Sequence, residues 1–230
     1  MPDRHLLIRS SSVTPLMKSK RIWIVFFAFV LSVVLLFHYR FPIAKGLGGF
    51  LAKKDPLEKC EVIFAPWSRL RANFVYAMHL VEGGWGERLI MTSPKASAME
   101  SEFRKIYGLG NCSPGHVLRR ISEKENLPAE KCTILEDSIS SYTDCELLHA
   151  YWKEHPFRSV IVVTDAPHAR RFRMVMNKVF RDANVRIISC PAFPERPLKD
   201  FLADEEDYVM YVASEYVKFV AYVLKYTFAD

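Results

Sequence analysis

The sequence has little glycine, few cysteines and no metal-binding acidic motif. Only 9 of its 230 residues are glycine and 13 are proline, which excludes collagen-like and low-complexity architectures. The 5 cysteines form no C-x-x-C pair, which argues against a zinc ribbon or a thioredoxin-like redox site. We expect buried, unpaired thiols. The alternative is that an exported domain pairs some of them, and the odd count then leaves at least one unpaired within the chain. No D-x-D motif follows a predicted strand, and no metal site is predicted.

The basic charge is confined to one end of the chain. Residues 1–54 hold 9 of the 32 Lys and Arg but only one of the 26 Asp and Glu, so the remainder is slightly acidic. A duplex-binding domain needs a basic face of its own, and the sequence predicts no nucleic-acid partner. With 50% hydrophobic and 13% aromatic residues, the chain has ample material for the core of one α/β domain.

One uninterrupted apolar run, residues 22–37, carries one serine and no charge. Extended to Tyr39 it forms a helix of about 27 Å at roughly 1.5 Å per residue, near the lower limit for a bilayer core of about 30 Å. The basic cluster at residues 18–21 favours a cytoplasmic amino terminus. A buried core helix and a cleaved signal peptide are the alternatives to this lipid-bilayer anchor.

These observations predict four segments along the chain. Residues 1–21 form a cytoplasmic basic tail, residues 22–39 a transmembrane anchor, residues 40–58 a short flexible stalk, and residues 59–230 an α/β domain. The protein is then a single-pass membrane protein whose domain lies in a periplasm or a lumen.

Short apolar runs alternate with helix-period segments after residue 59. Strands are predicted at residues 60–65, 88–92, 132–135, 159–164 and 185–189, with helices at 71–81, 96–106, 115–126, 141–155 and 168–181. This alternation predicts a Rossmann-like three-layer domain with a mainly parallel sheet. A last helix at residues 207–228 is predicted to pack on the sheet; the alternative is a helix on the membrane surface. Its apolar side comprises Val209, Val212, Tyr216, Phe219, Val220 and Val223.

Polar side chains follow the predicted strands, and parallel sheets bind ligands at the carboxyl ends of their strands. Cationic and hydroxyl groups near helix starts suit phosphate or carboxylate ligands. His168 and Glu136 are the candidate acid or base groups. The alternatives are helix capping for the hydroxyls and His168, an exposed helix charge for Arg171, and a structural ion pair for Glu136. The candidate ligand-binding residues are Arg69, Ser93, Ser140, Thr143, Thr164, Asp165 and Arg171.

The segment IVVTDAPHARRF at residues 161–172 is similar to the V-T-S-x-x-H-x-x-R-A pattern of the YdcF-like domain family, of which SanA and ElyC are members. His168 and Arg171 fall on the family's His and Arg. Residues 127–143, with Glu136, Ser140 and Thr143, resemble the family's I…E…S-x-N-T segment, although Tyr142 replaces its Asn. The helix over residues 69–83 is also similar. Residues 65–68 depart from the family's Gly-rich turn.

The resemblance covers residues 60–228 and implies a Rossmann-like domain that binds a small phosphorylated or nucleotide-like molecule. S-adenosylmethionine is one ligand class that it implies, and cell-envelope biogenesis is the implied setting. No settled reaction comes with the family. Two other functions stay open: a non-catalytic membrane-anchored scaffold with an empty pocket, and a type II membrane glycosyltransferase.

Overall fold

A computed structural model describes residues 15–68, 72–106, 113–193 and 205–228. The chain divides into two compact units, Met1–Pro42 and Ile43–Asp230. Helix α1 spans Pro15–His38, and its apolar side chains from Ile22 to Phe37 are exposed. Helix α2 follows at Arg40–Leu51. No single helix among the described residues meets the length and hydropathy of a membrane span, whereas the bent pair of residues 22–38 and 40–51 meets them together.

The second unit contains a five-stranded sheet in which every strand is parallel. The strand order is β3-β2-β1-β4-β5, with Val62 aligned to both Arg88 and Val160. This topology confirms the α/β, Rossmann-like prediction. The strands are β1 (Cys60–Ala65), β2 (Gly86–Pro94), β3 (Cys132–Ser138), β4 (Ser159–Thr164) and β5 (Arg186–Pro191).

Helices cover both faces of the sheet. The described helices of this unit, besides α2, are α3 (Ala72–Glu82), α4 (Ala98–Ile106), α5 (Pro114–Lys124), α6 (Ser141–Glu154), α7 (Ala166–Val179) and α8 (Glu205–Phe228), with a 3-10 turn at Ala129–Lys131. Helices α3 and α5 pack on one face, and α6 and α7 pack on the other. The unit therefore has three layers.

Alternating side chains of the strands build two apolar cores. Ile63 and Ala65 of β1 join the core under α3, whereas Val62 and Phe64 join the core under α6 and α7. This period of two is what a parallel sheet buried on both faces requires. Gly86 fits at the start of β2 because a Cβ there would lie 2.5 Å from the side chain of Ile63.

Helix α8 packs chiefly on α7, which differs from the predicted packing on the sheet. Its buried residues include Tyr208, Tyr211, Val212 and Glu215, while Val220 is 52% exposed. The reason is that α3, α5, α6 and α7 already cover both faces of the sheet. The prediction that Val220 faces inward with the other apolar residues of α8 is therefore wrong.

The segment predicted as a flexible stalk is mostly helix. Leu51 at the end of α2 is fully buried, and a Cβ on Gly48 would lie 2.5 Å from the hydroxyl oxygen of Tyr208. Farther along, the carboxylate of Asp55 accepts hydrogen bonds from Arg173 Nη1 at 2.7 Å and from the amide of Ser189 at 2.9 Å. Gly48 therefore allows close helix packing, whereas Gly46 and Gly49 have no atom within 4 Å of where a Cβ would stand.

Candidate functional site

A cavity of about 530 Å³ opens at the carboxyl ends of the strands. It lies at the point where the strand order reverses between β1 and β4, which is the usual ligand position in open parallel sheets. Its lining comes from the segments after β1, β2, β3 and β4 and from α8. The lining residues are Trp67, Ser68, Pro94, Lys95, Ser138–Ser141, Asp144, Asp165, His168, Arg171, Tyr211, Ser214, Glu215 and Lys218.

His168 lies in the first turn of α7 and is buried at the cavity wall. Its Nε2 lies 3.1 Å from the Oγ of Ser141, and Arg171 Nη1 donates to that same Oγ at 2.9 Å. Because the oxygen of Ser141 accepts from Arg171, its hydroxyl proton can be donated to His168. Burial, helped by the charge of Arg171, lowers the pKa of His168 to about 3. At neutral pH the imidazole is therefore neutral and accepts a hydrogen bond rather than supplying an imidazolium proton.

The guanidinium of Arg171 is held by a buried carboxylate. Arg171 Nε donates to one oxygen of Glu215 at 2.9 Å, and its Nη2 lies 2.8 Å from the same oxygen and 3.2 Å from the other. Lys218 adds a second cation 2.9 Å from Glu215. Although burial favours the neutral acid, the surrounding cations keep the pKa of Glu215 below its usual value. Arg171 thus lines the cavity with its guanidinium held by Glu215 and Ser141.

Two further carboxyl groups line the cavity without an ion-pair partner among the described residues. Asp165 accepts hydrogen bonds from the hydroxyl of Tyr211 at 2.6 Å, the hydroxyl of Ser68 at 3.4 Å and the side-chain amide of Asn73. Asp144 accepts one from Thr92 Oγ1 at 2.5 Å. Burial raises the pKa of each carboxyl to about 6. Both groups can therefore hold or release a proton near neutral pH.

The hydroxyls of Ser140 and Thr143 cap the start of α6. Ser140 Oγ accepts from the amide of Thr143 at 3.2 Å, and Thr143 Oγ1 accepts from the amide of Ser140 at 2.8 Å. This reciprocal capping box satisfies the free amides at the helix start. Ser140 borders the cavity, whereas Thr143 is not among its lining residues. The structure favours the capping alternative for both.

Ser93 and Glu136 lie on the opposite face of the sheet. Thr92 contacts Asp144 on the α6 side, so the next residue, Ser93, points toward α5. A Cβ on Gly115 of α5 would lie 3.3 Å from Ser93 Oγ and 2.5 Å from Glu136 Oε1. Neither residue lines the cavity. The sheet separates Glu136 from His168.

Glu136 pairs instead with an arginine at the surface. Arg119 Nη2 of α5 lies 2.9 Å from Glu136 Oε1, and both side chains are well exposed. This arrangement matches the structural ion pair that the sequence left open as an alternative. Thr164 is also buried outside the lining, where its carbonyl oxygen accepts from the amide of Ala192 at 2.9 Å. Arg69 lies outside the described residues.

Other cavity residues were not among the predicted site residues. Asp144 lies in the first turn of α6, one residue beyond the predicted Thr143. This proximity is the sequence feature from which Asp144 could have been predicted as a site residue. Tyr211 and Glu215 come from α8 and lie about 50 residues beyond the end of β4, and no local pattern links them to the cavity. Lys95 lines the cavity, and its ammonium group has no hydrogen-bond or ion-pair partner among the described residues.

Neither metal ligation nor reactive thiols are apparent in the described part of the chain. It holds no group of three or more His, Cys, Asp or Glu arranged to bind a metal ion. Cys60, Cys132, Cys145 and Cys190 form no disulfide among the described residues. Burial raises the pKa of the first three, which keeps them in the unreactive thiol form.

Comparison with known proteins adds no assignment to this geometry. No protein-family model matches the chain, and no curated protein matches it in sequence.

Proposed function

We propose that this chain is a single-pass membrane protein whose α/β domain binds a small phosphorylated or nucleotide-like molecule in the cavity. The observation that carries the proposal is the convergence of Lys95, Lys218, Asp144 and Asp165 on one cavity at the switch point of a parallel sheet. This position and this mixture of charges suit a polar ligand with both anionic and hydroxyl groups.

The cavity divides the recognition of such a ligand between its cations and its carboxylates. The unpartnered ammonium of Lys95 supplies a charge for a phosphate. Asp144 and Asp165, largely ionised above about pH 6, accept hydrogen bonds from ligand hydroxyl or amino groups. A phosphate end near Lys95 and a hydroxyl-bearing end near the carboxylates would satisfy both sets of groups.

Binding, rather than a named reaction, is the activity that the geometry supports. His168 is neutral at physiological pH because burial lowers its pKa to about 3, so it cannot act there as an imidazolium acid. The groups with a pKa suited to proton transfer near neutrality are Asp144 and Asp165. S-adenosylmethionine belongs to the ligand classes to be tested because the family resemblance implies it.

The membrane part of the proposal rests on the apolar segment. Residues 22–39 would form the anchor, with the amino terminus in the cytoplasm and the domain in a periplasm or a lumen. Exposure of the apolar side chains from Ile22 to Phe37 supports this placement, since lipid would cover them. A role in cell-envelope biogenesis rests on the resemblance alone.

Thermal unfolding of the detergent-solubilised full chain tests ligand binding. The panel comprises nucleotides, S-adenosylmethionine, sugar nucleotides and small phosphorylated metabolites. A ligand at 100 times its Kd should stabilise the fold by about 2.7 kcal/mol. We expect Lys95→Ala to reduce the shift because it removes the cation without breaking an internal contact.

The matched control is Lys131→Ala, which removes an exposed lysine beside the amino end of β3, at the opposite edge of the sheet. This variant should keep the full shift. If no ligand class stabilises the wild-type chain, the scaffold function replaces the proposed one. If the two lysine variants reduce the shift equally, the ligand does not bind in the cavity.

A further inference from the structure

Helices α2 and α8 carry large apolar side chains that stay largely exposed in the described structure. On α8, Val217 is 71% exposed, whereas Val62, Ile63 and the other central residues of the strands are buried in two cores. Exposed apolar surface of this kind marks a contact with a partner or a membrane. The exposed residues that we call the docking face are Leu47, Phe50, Val217, Val220 and Leu224. Met210 is left out because the acid Glu206, one turn before it on the same side of α8, is exposed.

The docking face is one continuous surface. Its three α8 residues follow spacings of three and four, which places them on one side of the helix. The ring of Phe50 stacks on Tyr216 with centroids 6.3 Å apart, and the carbonyl oxygen of Leu47 accepts from the hydroxyl of Tyr216 at 3.0 Å. These two contacts join the α2 residues to the α8 residues.

The charges of the described residues nearest this face are cationic. Lys218 and Lys225 are exposed on α8, and the guanidinium of Arg170 lies 4.1 Å from the ring centroid of Phe50. Glu215, the one acid in this part of α8, is buried. An apolar face flanked by cations is complementary to an anionic lipid surface.

We propose that the docking face lies on the surface of an anionic lipid bilayer. The proposal goes beyond ligand binding but rests on the membrane anchor in the proposed function. Leu47 follows the end of that anchor, Tyr39, by only eight residues, and α2 begins directly after it at Arg40. The bilayer is therefore the nearest apolar partner along the chain.

A second copy of the chain fits this face less well. A symmetric interface places the same patch of both copies in contact. The lysines that flank the face would then approach lysines of the same face, with no exposed acid on α8 after Asp207 to neutralise them. Anionic lipid offers the opposite charge instead.

Tryptophan quenching tests the docking of this face. The full chain carrying Val217→Trp is reconstituted in vesicles of phosphatidylcholine and phosphatidylglycerol, with bromine on the lipid acyl chains. The matched control is Lys124→Trp, an exposed position on α5 at the other face of the sheet. We expect the added fluorescence at position 217 to lose most of its intensity and that at position 124 to lose little, each relative to wild type.

Trp23 of α1 separates failure of docking from failure of the anchor, and its fluorescence is obtained as the difference between wild type and Trp23→Phe because the chain has 4 tryptophans. If its fluorescence is not quenched in the wild-type chain, the anchor is not inserted and both proposals about the membrane fail. If it is quenched while position 217 behaves like position 124, the docking proposal alone is overturned. In neither case is ligand binding in the cavity affected.

Two further measurements complete the test. Adding Val220→Glu to Val217→Trp should restore fluorescence because it places a charge on the docking face, and persistent quenching would overturn the role of the face. Replacing phosphatidylglycerol with phosphatidylcholine should weaken the quenching of Val217→Trp. A blue shift at position 217 that grows with the protein-to-lipid ratio, without quenching, would show a second copy on this face and overturn the proposal.

Discussion

Two Arg–Glu pairs in this protein have nearly the same length and very different surroundings. Arg171 and Glu215 approach to 2.8 Å with side chains 6% and 3% exposed, whereas Arg119 and Glu136 approach to 2.9 Å with side chains 60% and 48% exposed. Distance therefore does not distinguish them. Access to water distinguishes them, because water can solvate an exposed charge that loses its partner but cannot reach a buried one.

The two pairs also differ in their position relative to the cavity. The buried pair is joined through Ser141 to His168 and borders the cavity. The exposed pair lies on the other face of the sheet, near Ser93 and Gly115. Only the buried pair can therefore influence a ligand through direct contacts.

The largest expected effect comes from breaking the buried pair. Arg171→Ala leaves the carboxylate of Glu215 buried beside a single lysine and should reduce the free energy of unfolding by about 3–5 kcal/mol. Arg119→Ala, the matched exposed variant, should cost less than about 1 kcal/mol. Urea unfolding of the full chain in detergent measures both. Equal losses would mean that burial does not govern the strength of these pairs.

Replacing the whole buried pair sharpens the comparison. Arg171→Met combined with Glu215→Leu removes both charges and should recover much of the stability lost in Arg171→Ala, because no unpaired charge remains. If this double variant stays folded but no longer binds the ligand, the Arg171–Glu215 pair contributes to ligand binding. A double variant less stable than Arg171→Ala would contradict this account.

A smaller effect is expected from the pH dependence of the buried carboxyl of Asp144. Its pKa is about 6 in the folded chain and about 3.8 when unperturbed, so between these values the folded state holds a proton that the unfolded state has released. Its contribution to stability is therefore highest below about pH 4, falls as pH rises through this window, and is constant above it. At roughly 1.4 kcal/mol per pKa unit, the change is a few kcal/mol.

Asp144→Asn isolates this contribution. The stability of wild type minus that of the variant should fall between pH 4 and pH 6 and then stay level to pH 8, as measured by urea unfolding at several pH values. The subtraction removes the contributions of other titrating groups, including His168. A difference that rises with pH would show that Asp144 is stabilised as an anion in the folded chain.

The smallest effect is the coupling across the exposed pair. A double-mutant cycle with Arg119→Ala and Glu136→Ala should give a coupling energy of about 0.2–1 kcal/mol, reduced further by salt. Unchanged ligand binding in both single variants would keep Glu136 outside the site. Loss of binding in Glu136→Ala alone would place Glu136 in the ligand site.

Most of the sheet could be predicted because its signals are local. Strands β1 and β4 have the bounds expected from their continuous apolar runs. Helix α2 differs from the expected stalk because the local signal, Gly46, Gly48 and Gly49, indicates flexibility. Its helical state depends on packing against Tyr208, more than 150 residues away.

The site was predictable only in part because strand register decides which face a side chain occupies. His168 and Asp165 were expected at the end of β4 and line the cavity. Glu136 was placed after a strand ending at residue 135, whereas β3 continues to Ser138 and Glu136 points toward α5. A shift of one residue along a strand reverses the face. Tyr211 and Glu215 reach the cavity only through the tertiary packing of α8.

The close contact at Gly48 gives the second unit a mechanical property. Because Gly48 has no side chain, the backbone of α2 lies against the ring of Tyr208, and Leu51 is locked in the core. One turn farther along α8, Tyr211 holds the carboxylate of Asp165 in the cavity. A displacement of the chain at residue 43 would therefore be transmitted through α2 to α8, within about one helical turn of the cavity. A flexible linker at the same place would not transmit it.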